Sequence, residues 1–219
     1  MVSGSGTFND YGPQFFIDED VILVSINYRL GPFGFLTTTN NEIPGNMGHW
    51  DQALALRWVN QNIHHFGGDT NQVTIFGESA GSLSVSLLLV APAVRGLFSR
   101  AILDSGVFSA VSYHPQAVED AYRISEKFLK ETGCDGYGAV FCLQDLNSTE
   151  IMLAVADYPE TFWLPVPDYS FSGDPLFPGE PENLLSEVSP DVEVMIGKTK
   201  DEGLNFMTGK TSLNLSRLL

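Results

Sequence analysis

The pattern of apolar and polar positions along the chain alternates between short apolar runs and longer helical periods. Residues 21–26, Val-Ile-Leu-Val-Ser-Ile, form a nearly continuous β-branched run, which predicts a strand buried on both faces. Residues 50–65 predict a helix whose apolar side carries Leu54, Ala55, Trp58, Val59 and Ile63, stopped by Phe66-Gly67-Gly68-Asp69. A short strand at 73–76 is followed by a helix of small and apolar residues at 80–90, ended by Pro92, and then by a strand at 101–104. Residues 115–131 have helical period with Pro115 in the first turn and Val118, Ala121, Tyr122, Ile124, Phe128 and Leu129 on one side. A shorter helix is predicted at 148–156, an irregular Pro- and aromatic-rich stretch at 158–182, and a last strand at 192–196. Strands alternating with helices indicate an α/β fold with a mostly parallel central sheet flanked by helices.

Composition narrows the function classes. Eleven basic residues against 27 acidic ones give a formal net charge of −16. No basic stripe exists to displace counterions from a phosphate backbone, which argues against a nucleic-acid partner and against an anionic membrane surface. The longest apolar stretch, 87–94, is short and contains Pro92, so no membrane segment is predicted in this chain. The first six residues have neither a basic region nor an apolar block, so no signal peptide is visible.

Two cysteines, Cys134 and Cys142, lie in and just after a Gly-rich stretch. Their spacing does not suit a four-ligand zinc site and no His is near, so no metal is expected. A small disulfide loop and two unrelated buried thiols are both open on these residues. Sequons at Asn147 and Asn214 tilt the reading toward glycosylation in an oxidising, secretory compartment. Asn147, with Glu150 three residues on, reads equally as a helix cap. A bridged loop this short would contribute roughly 2.5 kcal/mol through chain entropy.

The candidate chemistry sits at Gly77-Glu78-Ser79-Ala80-Gly81. As a bare pattern G-x-S-x-G is weak; here it directly follows a predicted strand and directly precedes a predicted helix, the context a nucleophile elbow requires. Small residues are needed beside the serine in so tight a turn, and Gly77 and Gly81 supply them. The helix then begins under Ser79, where the Ala80 amide can donate to a developing oxyanion. A serine hydroxyl needs a base oriented by an acid, in chain order Ser, acid, His for this elbow. Glu202, just after the last predicted strand, is the candidate acid. All four histidines precede it: His49 in a Gly-rich turn, His64 and His65 at a helix end, His114 before Pro115. None suits the role of general base.

Several stretches together resemble the type-B carboxylesterase/cholinesterase family. They are Asn27-Tyr28-Arg29-Leu30-Gly31-Pro32-Phe33-Gly34-Phe35-Leu36, residues 45–59, residues 66–69 through 73–82, Gly96-Leu97-Phe98 with Arg100-Ala101-Ile102, and Ile196-Gly197 with Asp201-Glu202-Gly203. The resemblance runs over essentially the whole chain. It implies an α/β-hydrolase fold and a serine hydrolase that cleaves small-molecule carboxylic esters without cofactor. It implies Ser79 as nucleophile, Glu202 as triad acid, Ala80 as an oxyanion donor and Glu78 as a supporting acid beside the nucleophile. It also implies a Cys134–Cys142 disulfide, a buried Arg29–Asp51 ion bridge and a secreted or secretory-pathway protein.

The chain departs from the family in two places that matter. The His-Gly-Gly-Gly-Phe motif of the family, whose amides complete the oxyanion hole, is absent, its place falling just before Met1. The catalytic His belongs beyond Leu219. Residues 1–219 are therefore expected to be one carboxylesterase domain truncated at both ends and inactive by itself. The alternative is a non-catalytic cholinesterase-like adhesion or scaffold protein, which such relatives reach by losing the elbow serine. Smaller departures are His49-Trp50 in place of aliphatics and Asp104 in place of a frequent Gln.

Overall fold

In the computed structural model, residues 4–7, 11–38, 42–108, 118–156, 163–168, 175–188 and 190–202 are described. The elements that position the site are a three-stranded parallel sheet and the helix that follows its first strand. Strands β1 (Thr74–Glu78), β2 (Arg100–Asp104) and β3 (Glu193–Gly197) lie in that order, with Ile75, Ala101 and Val194 in register. Seven α-helices are described: α1 (Gln14–Asp18), α2 (Gly31–Phe35), α3 (Met47–Asn62), α4 (Ala80–Val90), α5 (Val118–Thr132), α6 (Ala139–Asp145) and α7 (Ser148–Ala156).

The core forms where α4 meets β1 and β2. Strand residues alternate, so Ile75, Ala101 and Leu103 point to one face and are buried there. α4 is apolar almost all round, and eight of its residues are buried, including Leu83, Leu87 and Val90. A helix of this composition gains stability only by being enclosed. The opposite face of the sheet carries the row Phe76–Ile102–Met195, with Phe76 and Met195 exposed, and all of β3 is exposed. Phe16 from α1 lies 5.7 Å from the Phe76 ring.

Distant segments are tied to the start of α3 by buried polar groups. Asn46, fully buried and left-handed at φ 61°, donates from Nδ2 to the Val166 carbonyl and accepts from the Val166 amide at 3.0 Å. The buried Asp168 carboxylate accepts from the Leu176 and Phe177 amides at 3.0 and 2.7 Å. Burial pushes its pKa upward, against the lowering by those two amides. The Cys134–Cys142 disulfide is present, with Cα atoms 5.6 Å apart, and joins the end of α5 to α6.

Five readings need correction. Residues 21–26 form no strand: the segment makes no ladder among the described residues, and Val21, Ile22 and Val24 are exposed. A β-branched run becomes a strand only where a partner strand meets it. On α3 the buried set is Gly48, His49, Gln52, Ala53 and Val59, whereas Leu54 and Trp58 face outward at 63% and 46% exposure. Trp58 packs instead on Phe66, 5.9 Å away, in the 3-10 turn that ends the helix. His49 lies inside the first turn of α3 rather than before it. The Arg29–Asp51 pair forms in a two-pronged geometry at 2.8 and 2.7 Å, but it is not buried, with side chains 52% and 26% exposed. Gly81 does not face a crowded turn, as its environment below shows. Asn147 does cap α7: its Oδ1 accepts from the Glu150 amide at 3.0 Å, and Glu150 accepts from the Asn147 amide at 2.8 Å. His114, Pro115 and Asn214, and residues 158–162 and 169–174 of the irregular stretch, lie outside the described residues.

Candidate active site

β1 delivers the chain into a turn of one residue, and α4 leaves it. Ser79 occupies that turn at φ 53°, ψ −114°, a conformation rarely taken by a residue with a side chain. Strain of this kind costs about 1–3 kcal/mol and persists only where neighbours impose it. Those neighbours are identifiable. The Ser79 amide donates to the Asp104 carbonyl at 2.9 Å, extending the sheet by one bond. The Ser79 carbonyl accepts the Leu83 amide at 3.0 Å, the first bond of α4. A Cβ on Gly77 would lie 2.6 Å from the Gly81 carbonyl oxygen, and one on Gly106 would lie 2.9 Å from the Ser79 carbonyl oxygen. Two glycines thus let three backbones converge on the serine. A Cβ on Gly81 would meet nothing within 4 Å, so this glycine is not required by crowding.

The first turn of α4 is fixed from both sides. The buried Ser82 hydroxyl donates to the Gly106 carbonyl, tying the helix to the turn after β2. Ser84 donates to the Ala80 carbonyl at 3.1 Å and accepts from Gln52 Nε2 at 3.2 Å, tying the helix to α3. Tyr28 reaches the same Ser84–Gln52 pair, and burial raises its pKa. With α4 held, helix geometry leaves the amides of its first turn without intrahelical acceptors at the edge where Ser79 sits. The dipole there favours negative charge.

Each strand of the sheet ends at this carboxyl edge. Ser79 follows β1, Ser105 follows β2, and 198–202 follow β3. Ser105 is also left-handed, φ 58°, and its amide donates to the Gly197 carbonyl at 2.9 Å. The exposed Glu202 carboxylate accepts from the Thr199 amide at 2.7 Å. A hydrogen bond from the Ser105 hydroxyl, then that amide, holds Glu202 below the usual carboxylate range. The same hydroxyl lies 3.1 Å from Asp104 Oδ1. Glu78 is exposed and in register with Asp104, so the two carboxylates share the face opposite Ile75. The elbow and Glu202 therefore occupy one edge, separated by the turn after β2. Ser105, Gly106, Ser82 and Thr199 escaped the reading of the sequence. Their only signal was Ser105-Gly106 directly after a predicted strand.

Among the described residues, no histidine enters this edge as a base. His49 is 0% exposed between Phe35 and Phe177, both edge-on at 5.5 and 5.7 Å, and neither ring nitrogen has a hydrogen-bond partner. Burial lowers its pKa to about 3. His64 and His65 lie in the 3-10 turn leading toward Gln72, which hydrogen-bonds Arg100 at the opposite, amino edge of the sheet. Among the described residues no three His, Cys, Asp or Glu side chains converge as a metal site would require.

The chain matches known proteins over nearly all of its length. Residues 1–215 match the carboxylesterase family. The juvenile hormone esterase of Tribolium castaneum is 37% identical over 217 residues, 92% of this chain and 37% of the relative.

The chain belongs to the carboxylesterase family. The solved carboxylesterase of Geobacillus stearothermophilus superposes with a TM-score of 0.85 at 36% identity, over 95% of this chain and 43% of that one. The juvenile hormone esterase of Manduca sexta, solved with OTFP covalently attached, gives a TM-score of 0.77 at 30% identity, over 84% of this chain and 36% of that one. This carboxylesterase chain thus has part of an α/β-hydrolase fold and spans less than half the length of the relatives it matches. No helix among its described residues is long and apolar enough to cross a membrane.

Proposed function

We propose that this chain carries the nucleophile and the acid of a serine ester hydrolase. Ser79 Oγ attacks the carbonyl carbon of a small-molecule carboxylic ester while its proton passes to a histidine supplied by the protein outside residues 1–219. The Ala80 amide donates to the tetrahedral oxyanion. The alcohol departs with the proton from the histidine, and water cleaves the Ser79 acyl ester by the same steps in reverse. Glu202 orients the histidine and stabilises its cation, without itself being protonated. A carboxyl already held low by Ser105 and Thr199 suits that task. Glu78 supports the site from beside the nucleophile.

The observation that supports this reading is the strained backbone of Ser79, which a structural serine would not need. The covalent adduct on the Manduca sexta relative is consistent with it. The disulfide fits an oxidising, secretory setting. Residues 1–219 alone should turn over little ester, because triad members act as a unit. The test is a stopped-flow assay of the whole protein with p-nitrophenyl acetate. A burst of one p-nitrophenol per active site, absent in Ser79→Ala, supports acylation; a burst that persists in that variant, or no Ser79-dependent release at all, refutes it.

A further inference from the structure

Away from the sheet edge, a cavity of about 450 Å³ opens between α2, the segment after it, and α5 to α7. None of its lining residues belongs to the turns at 77–82, 104–106 or 197–202, so it is separate from the proposed catalytic edge. Its volume falls in the range of small-molecule sites. The floor is apolar and buried, made by Leu36, Ile43, Phe128 and Ile151. Val140 and Leu143 of α6 also line it, as do Pro32 and Pro44.

This shape is set before any ligand arrives. The disulfide anchors α6, the Asn147–Glu150 cap fixes the start of α7, and two prolines stiffen the lining. A preformed cavity avoids the ordering cost that weakens binding to a mobile surface. Among the described residues, the polar side chains that line it are Glu42, Gln144 and Ser148, and no Lys, Arg or His does. One acid and no base, in a chain of net charge −16, disfavours a ligand carboxylate and favours a cation.

We propose that this cavity binds an apolar small molecule with a single cationic head, its hydrocarbon on the Leu36–Phe128 floor and its head at Glu42 and Gln144. Met47 also lines the cavity, whereas Met195 lies on β3, so methionine methyl groups report occupancy with an internal reference. The experiment titrates decylamine, decanol and decanoate into the whole protein labelled with ¹³C-methyl methionine. Decylamine should shift the Met47 resonance saturably, leave Met195 unmoved, and bind about five- to tenfold more tightly than decanoate. Leu143→Trp fills the cavity and should abolish the Met47 shift. Val140→Phe, at a half-buried position, gives the same test if the tryptophan prevents folding. Glu42→Gln should remove the preference for the amine while decanol still binds. An unmoved Met47, decanoate binding as tightly as decylamine, undiminished binding in both filled variants, or an amine preference that survives Glu42→Gln would overturn the proposal. The readout involves no ester turnover, so it stands or falls apart from the hydrolase reading.

Discussion

The two arms of the candidate site are held in opposite ways. The nucleophile arm, β1 into α4, is enclosed: Leu83, Leu87 and Val90 are buried beneath it, and Ser79 is fixed through its own backbone by Asp104 and Leu83. The acid arm, β3 into 198–202, is open to solvent along its whole length, and Glu202 is held by the Thr199 amide and the Ser105 and Thr199 hydroxyls. Strain needs surroundings that impose it, so it sits in the enclosed arm. An ionised carboxylate is costly to enclose, so it sits in the open one. Position in the first arm is a property of packing, and in the second a property of hydrogen bonds.

That contrast can be broken by asking which substitutions move activity and which move stability. The largest effect is expected from Glu202→Gln in the whole protein: a loss of roughly 10⁴ in kcat, with the urea midpoint unchanged. A shifted midpoint would mean that the acid arm carries the fold as well. The mirror case is Gly77→Ala, whose new Cβ meets the Gly81 backbone. It should destabilise by about 1–3 kcal/mol in urea unfolding. Gly81→Ala, with open space before its Cβ, should not destabilise and gains helix propensity. Equal losses in the two alanine variants would show that crowding at the elbow has been misplaced.

The enclosed side also makes a pH prediction through His49. Its folded pKa of about 3 lies below the ordinary 6.5, so the unfolded chain binds a proton that the folded chain excludes. No penalty exists above pH 6.5; stability falls by about 1.4 kcal/mol per pH unit as pH drops from 6.5 toward 3, and no further below that. His49→Leu removes two unpartnered buried nitrogens and should flatten this slope without loss at pH 7. The smallest effect is expected on the open side. Arg100–Glu193, at 2.8 Å between exposed side chains, should contribute under about 1 kcal/mol, so Glu193→Gln barely shifts the midpoint.

Sequence and structure agree most where local chemistry decides. The elbow was legible because a glycine-flanked serine stood between a β-branched run and an apolar helix, and the observed strands start or end within two residues of the predicted ones. What stayed hidden depends on partners far along the chain. Asn46 meets Val166 across 120 residues, and nothing local to either position announces it. His49 reads as a loop residue until Phe35 and Phe177 close around it. Leu54 and Trp58 share a helical period with Val59, yet tertiary packing covers only the other side of α3. Residues 21–26 have the propensity of a strand without a ladder to join. The short helices α1, α2 and α6 are five to seven residues long, too brief for a periodic signal.

The most direct test of the account is where a fluorophosphonate bonds to the whole protein, read by peptide mass spectrometry. A single adduct on Ser79, lost in Ser79→Ala and slowed by Glu202→Gln, is the predicted result. No adduct, or one on another serine with Ser79 unmodified, would contradict it.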